Sequence, residues 1–177
     1  QLVDELAQCP RLIGEILANA AVYPQLARRF SSYAHFLFLG RGINAPIALE
    51  GALKLKEISY LHAEGYPAGE MKHGPIALID QGMATLALAP RDGLYDKMVN
   101  NIKEVKARDG VVLAVLTQGD RELASQVDET LHIPPAPDHL IPLLATIPLQ
   151  LLAYHIAVHR GCDIDQPRNL AKTVTVE

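Results

Sequence analysis

The 177-residue chain reads as one doubly wound α/β domain, a parallel sheet with helices on both faces. Three observations predict this. Short runs at residues 35–39, 83–89 and 111–117 are almost wholly apolar, as strands buried on both faces are. Stretches with helical spacing alternate with those runs, the pattern of βαβ units. No internal repeat or low-complexity linker divides the chain, and 49% hydrophobic residues supply a core for one domain of this size.

The elements follow in order. Leu2, Val3, Leu6, Leu12, Ile13, Ile16, Leu17, Tyr23 and Leu26 recur at helical spacing, so the first thirty residues are expected to be helical, broken near Pro24. His35 to Leu39 is the first strand and ends at Gly40. Asn44 caps a helix that tolerates Pro46 in its first turn and runs to about His62. Residues 63–82 read as an excursion punctuated by Gly and Pro, before a second strand at Met83–Ala89. A helix to Arg108, a strand at Val111–Thr117 and another at Asp128–Ile133 follow. Pro134 to Asp138 is a loop. Leu140 to Val158 carries no formal charge and nears the ~20 residues a membrane span needs. Pro142, Pro148, Gln150 and His155 interrupt it, so it reads as a helix buried on all sides, in the core or against another subunit, with no membrane involved.

Composition excludes several functions. Lys and Arg number 16 against 20 Asp and Glu, a net charge of −4, and no basic stripe exists to hold nucleic acid. Trp is absent and aromatics are 5%, which leaves no platform for stacking bases. Cys9 and Cys162 are too far apart for a thiolate metal motif and fit a reducing cytoplasm. The chain opens at Gln1 inside an amphipathic pattern, with no basic leader and apolar core of a signal peptide, and is expected to be part of a longer protein.

Ligands of doubly wound sheets bind beyond the carboxyl ends of strands at a topological switch point, which directs attention to the segments after Leu39, Ala89 and Thr117. Gly40-Arg41-Gly42-Ile43-Asn44-Ala45 fits the alanine variant of the dinucleotide fingerprint. The next strand, ending near Ala89-Pro90-Arg91, carries no acid for a ribose, so the glycines are read as a tight strand-to-helix turn. The helix after it is more informative. Glu50, Lys54 and Glu57 fall at i, i+4 and i+7, within one narrow arc flanked by Leu53 and Ile58, with Lys56 almost opposite. Such a stripe is either a surface ion pair worth ~0.3–0.5 kcal/mol or a proton-transfer site. A carboxylate in a dry site can remove a proton from carbon beside a carbonyl or imine, with an ammonium stabilising the charge that develops.

His73 sits in Glu70-Met71-Lys72-His73-Gly74-Pro75, on a turn, and reads either as a surface imidazole or as an acid–base group able to open a sugar ring. His155 and His159 have metal-ligand spacing but lack a third partner and are assigned to packing. No nucleophile elbow or P-loop occurs. The tail after Pro167 mixes Asn, Leu and β-branched residues, is not of disordered composition, and could dock Lys172 in a site.

Phe38 to Gly42, Ile47 to Tyr60, His62-Ala63-Glu64, Gly69 to Pro75 and Asp165 to Glu177 together closely resemble the isomerase part of the glutamine–fructose-6-phosphate aminotransferase family. That family is one branch of the wider sugar isomerase (SIS) family, whose domains have a flavodoxin-like fold. The likeness runs over essentially the whole chain, residues 1–177, read as a single SIS domain, the second of two, with a catalytic tail at about 162–177. The resemblance implies that Glu57 moves a proton between C1 and C2 of a fructose imine 6-phosphate, with Lys54 assisting and Glu50 holding Lys54. It implies that His73 opens the sugar ring in the neighbouring subunit of a homodimer. Lys172 would form a Schiff base with the open ketose, and the Ala171 backbone would touch the sugar. No metal, nicotinamide or pyridoxal cofactor is implied. The family's glutaminase domain and first SIS half, whose hydroxyl-rich loops hold the phosphate, lie outside this chain, so the isolated segment is expected to be inactive. Ala89-Pro90-Arg91-Asp92-Gly93 offers no such hydroxyl cluster. Two alternatives stand beside this: a non-catalytic phosphosugar-binding regulatory module, and nucleotide binding through the glycine turn.

Overall fold

In the computed structural model, which describes residues 1–169, five parallel strands form one sheet. They are β1 (His35–Gly40), β2 (His62–Pro67), β3 (Met83–Ala89), β4 (Val111–Thr117) and β5 (Glu129–Ile133), in the order β2-β1-β3-β4-β5. The chain winds from β1 to one side and then resumes on the other, so the switch point lies between β1 and β3. The doubly wound α/β fold expected from the sequence is the fold observed.

Alternation along the strands divides two cores. Phe36 and Phe38 of β1, with Leu113 and Val115 of β4, enter one core with the helices α2 (Cys9–Ala18), α3 (Tyr23–Phe30), α4 (Ala45–Ser59) and α7 (Ile141–His159). Leu37 and Leu39, with Val112, Ala114 and Leu116, face the other, under α5 (Tyr95–Lys106), α6 (Arg121–Ala124) and the turn Ala68–His73. Side chains at period two on both faces explain why these strands read as unbroken apolar runs.

Several boundaries differ from expectation. The helical amino-terminal region is interrupted at Asn19–Val22, after the short α1 (Leu2–Leu6) and α2. Pro24 opens α3 in its first turn, where proline costs no hydrogen bond, and does not break a helix. The helix from Asn44 stops at Ser59, because Tyr60 adopts a left-handed conformation (φ 60°) that reverses the chain. His62 therefore begins β2, a strand within what read as an excursion; it pairs with β1 at the sheet edge. Helix α7 is buried along one side, where Leu144, Leu149, Leu152 and Ile156 meet α3 and α4. Its other side presents Leu143, Tyr154 and Val158 to solvent, so it is not enclosed all round within this chain. By length and composition alone it would pass for a membrane span. Its packed face makes it a core helix of this domain.

Candidate active site

Helix α4 is held close to the sheet by two missing side chains. A Cβ on Gly51 would lie 2.6 Å from Leu149 Cδ1 of α7 and 3.0 Å from the Phe38 ring of β1. One on Gly65 of β2 would lie 2.6 Å from the Cα of Leu49. With Ala48, Ala52 and Leu55 buried against this floor, Glu50, Lys54 and Glu57 are turned away from it, between Leu53 and Ile58. Lys54 Nζ stands 2.7 Å from Glu57 Oε2 and 3.8 Å from Glu50 Oε1. The hydrogen bond to Glu57 raises the Lys54 pKa above its ordinary value, outweighing partial burial, so this lysine is an ammonium and no amine nucleophile.

The stripe foreseen on α4 is thus a contiguous carboxylate–ammonium–carboxylate chain, but it is not dry. Glu57 retains 24% of its side-chain exposure and Lys54 33%, and Leu53 at one border of the arc, with Leu49 beyond it, are themselves 39% and 52% exposed. Nor does it lie at the carboxyl ends of the strands. A crossover helix returns antiparallel to its strands, so residues late in α4 stand toward the sheet's amino-terminal edge.

The end of α4 is fastened by the chain that follows α7. Arg160 Nε donates to Ser59 O (3.2 Å), Cys162 Sγ donates to the same carbonyl (3.8 Å), and Arg160 also reaches Ser31 O. A cation on the open carbonyls of a helix end is favourable there. Arg168 N donates to Tyr60 Oη (2.9 Å), and the Arg168 guanidinium lies 4.2 Å from the Tyr60 ring centroid. The start of the tail therefore docks three residues beyond Glu57. Sequence reasoning expected the tail to dock but did not single out Tyr60, Arg160 and Arg168; the one available signal was the two arginines beside that tail. Ala171 and Lys172 lie outside the described residues.

His73 is not brought to Glu57 within one chain. It ends the turn Ala68–His73, exposed, with Nδ1 2.7 Å from Glu70 Oε2. Ala68 and Met71 anchor that turn in the core under α5, whereas α4 lies across the other face of the sheet.

The switch point is filled by the protein's own hydrogen bonds. Asn44 Nδ2 donates to Asp92 Oδ2 (2.9 Å), and Asp92 Oδ1 accepts from Leu94 N. Arg91 N donates to Thr117 Oγ1, and the Arg91 side chain pairs with Asp120, whose side chain is wholly buried. Burial pushes the Asp120 carboxyl up, but hydrogen bonds from Tyr95 Oη and Leu123 N and the Arg91 charge outweigh it and hold the pKa below its ordinary value. These contacts place the Asp92 carboxylate at the switch point. The glycine turn is tight: a Cβ on Gly40 would stand 2.1 Å from Asn44 O, and Gly42 has φ +55°. The strand that follows it is β2, ending at Tyr66-Pro67 with no terminal acid; Glu64 and Glu70, before and after, pair with His62 and His73. His155 stacks on Tyr23 (ring centroids 6.0 Å apart), and burial lowers its pKa, as a packing role requires. Among the described residues no three His, Cys, Asp or Glu side chains are assembled as a metal centre.

Comparison with known proteins now bears on this geometry. The SIS domain model matches residues 30–160, from the end of α3 to the end of α7. The chain belongs to the SIS domain family. Within it, the chain is 55% identical over 177 residues to a glutamine–fructose-6-phosphate aminotransferase [isomerizing] of Bacteroides thetaiotaomicron, covering 99% of this chain and 29% of that protein. It is 53% identical over 173 residues to the enzyme of the same name from Chlorobaculum tepidum, covering 98% and 28%. Among solved structures, the C-terminal domain of glucosamine-fructose-6-phosphate aminotransferase from Francisella tularensis superposes with a TM-score of 0.85 at 43% identity, over 92% of this chain and 46% of that one. The SIS chain thus spans less than a third of the length of the relatives it matches, and less than half of the solved domain.

Proposed function

We propose that this SIS domain is the second half of the isomerase region of an enzyme that makes glucosamine 6-phosphate and glutamate from fructose 6-phosphate and glutamine. The observation that carries the reading is the Glu50–Lys54–Glu57 chain on one open face of α4, in a domain about half identical to enzymes of that name. A structural ion pair needs no second carboxylate on the same ammonium, whereas proton transfer at carbon uses a held base beside a fixed positive charge.

In the reaction, the substrate carries an imine at C2. Glu57 removes a proton from C1, and the electron pair of that bond forms a C1–C2 double bond while the imine nitrogen takes up a proton. Glu57 then returns its proton to C2 as the C1 hydroxyl loses its own and becomes the aldehyde, giving an aldose that bears an amine at C2. Lys54 stabilises the charge that develops, and Glu50 steadies Lys54. Before that proton transfer, Lys172 holds the open ketose as a Schiff base at C2 with loss of water, and ammonia then displaces the lysine amine to leave the C2 imine; the Ala171 backbone contacts the sugar. Lys172 follows Arg168, docked on Tyr60 beside the end of α4, by four positions, a span of at most ~14 Å.

His73 opens the sugar ring in the site of a second subunit; its place on the opposite face of the sheet from Glu57 favours a homodimer over action within one chain. The phosphate grip and the ammonia supply come from a first SIS half and a glutaminase domain of the same polypeptide, so this segment alone is inactive. The bare apolar edge of α4 and the open side of α7 (Leu143, Tyr154, Val158) are suited to being covered by those parts, which would also dry the Glu57 site. The setting is the cytoplasm, and no cofactor is required. The test is product formation by the full-length protein carrying this segment. Glucosamine 6-phosphate should appear with wild type and be lost with Glu57→Gln and Lys172→Ala; a Glu57→Gln protein of undiminished turnover would contradict the assignment.

A further inference from the structure

We infer that Tyr60 is a positioning residue for Lys172: with Arg168 docked on it, it fixes where the tail leaves helix α4 and so ties that lysine to the element that carries Glu57. The inference rests on the role proposed for Lys172 and adds to it the residue through which the tail is held in register with the base.

The starting observation is a backbone conformation. Tyr60 closes α4 at φ 60° and ψ 20°, its N–H donating to Lys56 O (3.2 Å). That left-handed position after a helix is ordinarily glycine, because a Cβ resists it, and an aromatic residue there is an outlier. Glycine would end the helix equally well. What glycine lacks is the phenol, and among the described residues the hydrogen bond to the Tyr60 hydroxyl and the cation over its ring both come from Arg168. Arg168 is exposed, and an exposed hydrogen bond with an exposed cation on a ring contributes no more stability than the left-handed conformation removes. Stability therefore gives no reason for a tyrosine here. A strained residue kept without a gain in stability points to function.

The chain around it is arranged to deliver Arg168 to that ring. Arg160 holds Ser59 O and Ser31 O at the end of α7, and Cys162 Sγ reaches the same Ser59 carbonyl. The turn that follows is braced by Asp163, whose Oδ1 accepts from Asp165 N (3.1 Å) and Gln166 N (2.9 Å). Asn169, directly after the dock, is itself left-handed (φ 64°). Ser59 and Tyr60, adjacent on α4 and just past Glu57, thus each hold one end of this segment.

The consequence is an effective concentration. From Arg168 the tether to Lys172 is four positions; without the dock, the last attachment to α4 is Cys162, ten positions away. Effective concentration falls as about the −3/2 power of tether length, ~4-fold from length alone. Lost orientation adds to this, since misplacement near 1 Å costs on the order of 100-fold. The phosphate is gripped elsewhere in the proposed enzyme, so the effect falls on the rate at saturating sugar and not on the concentration that half-saturates.

The experiment is borohydride trapping in the full-length protein with fructose 6-phosphate and no glutamine, which leaves the ketose on Lys172. The lysine amine adds to C2 and water leaves; hydride from borohydride then adds to C2 and fixes the adduct as a secondary amine, measured by mass spectrometry of the tail peptide. Wild type should be labelled at Lys172. Tyr60→Gly should be labelled ~4–100-fold more slowly at saturating sugar, with half-saturation unchanged and a thermal midpoint no lower than wild type. Tyr60→Asn, which also accepts a left-handed backbone, is a second variant should glycine loosen the helix end. Tyr60→Phe keeps the ring beneath the guanidinium and should recover part of the rate. Labelling of both Tyr60→Gly and Tyr60→Asn at the wild-type rate would overturn the positioning role while leaving the Schiff base in place. A wild-type Lys172 that takes no label would overturn the Schiff-base reading itself, and this inference with it.

Discussion

Replacing Gly65 with alanine tests whether the seating of α4 on β2 is as tight as the structure has it. The new Cβ would stand 2.6 Å from Leu49 Cα and 2.8 Å from Leu49 N, both backbone atoms that no side-chain rotation can move. Ordinary contact begins near 3.4 Å, so α4 must lift by about 0.8 Å. Overpacking of this kind costs ~1–3 kcal/mol. For a chain of this size that lowers the thermal midpoint by roughly 6 °C, at 2–4 °C per kcal/mol. The sign is informative, because alanine in place of an unhindered glycine in an element interior gains ~0.5–1 kcal/mol. Gly14, in α2 with nothing within 4 Å of its Cβ position, is the matched control and should raise the midpoint. A lift of this size also displaces Glu57 and Lys54, and misplacement near 1 Å costs on the order of 100-fold in rate. The assay is thermal unfolding of both variants by circular dichroism, with turnover measured in the full-length protein. A Gly65→Ala chain as stable as wild type, or more so, would refute the seating.

Further predictions follow from other parts of the structure. Lys54→Met should leave stability within ~1 kcal/mol, because partly exposed pairs contribute little, while turnover falls steeply; equal turnover would remove Lys54 from the mechanism. Tyr60→Gly relieves a left-handed conformation that costs ~1–2 kcal/mol but removes the dock for Arg168, so unfolding should be delayed or unchanged while activity drops. Asp120→Ala strips the cap of α6 and leaves Tyr95 Oη without its buried partner, a loss of about 2–4 kcal/mol by denaturant titration. Because folding lowers the Asp120 pKa, its contribution is complete above the unfolded value of 3.8 and disappears as pH falls through the folded one. Wild type should therefore lose stability more steeply than Asp120→Asn on acidification below about pH 4; parallel curves would contradict the sign.

What the sequence revealed follows from where each element sits. Strands β1, β3 and β4 announced themselves because burial on both faces leaves little room for polar residues. Strand β2 did not. At the sheet edge it reads HAEGYP, with Gly65 there to admit α4 and polar His62 and Glu64 exposed, a composition indistinguishable from a loop. The spacing of Glu50, Lys54 and Glu57 was enough to place three charges on one arc, since helical geometry is local. Their incomplete burial was not legible, because what dries that arc is not part of its own helix. That His73 and Glu57 fall on opposite faces depends on the handed crossover from α4 through β2, which no local pattern encodes. Tyr60 as a left-handed cap was equally hidden, since an aromatic there gives none of the glycine or asparagine signal.

The central claim is that Glu57 carries a proton between C1 and C2 of the sugar. Incubating the full-length protein with fructose 6-phosphate in heavy water, and following deuterium at C1 by NMR, measures that transfer directly. Exchange in wild type that is abolished in Glu57→Gln, with the variant folded, is the predicted result. Exchange that persists at the wild-type rate in Glu57→Gln would place the base elsewhere and contradict the account.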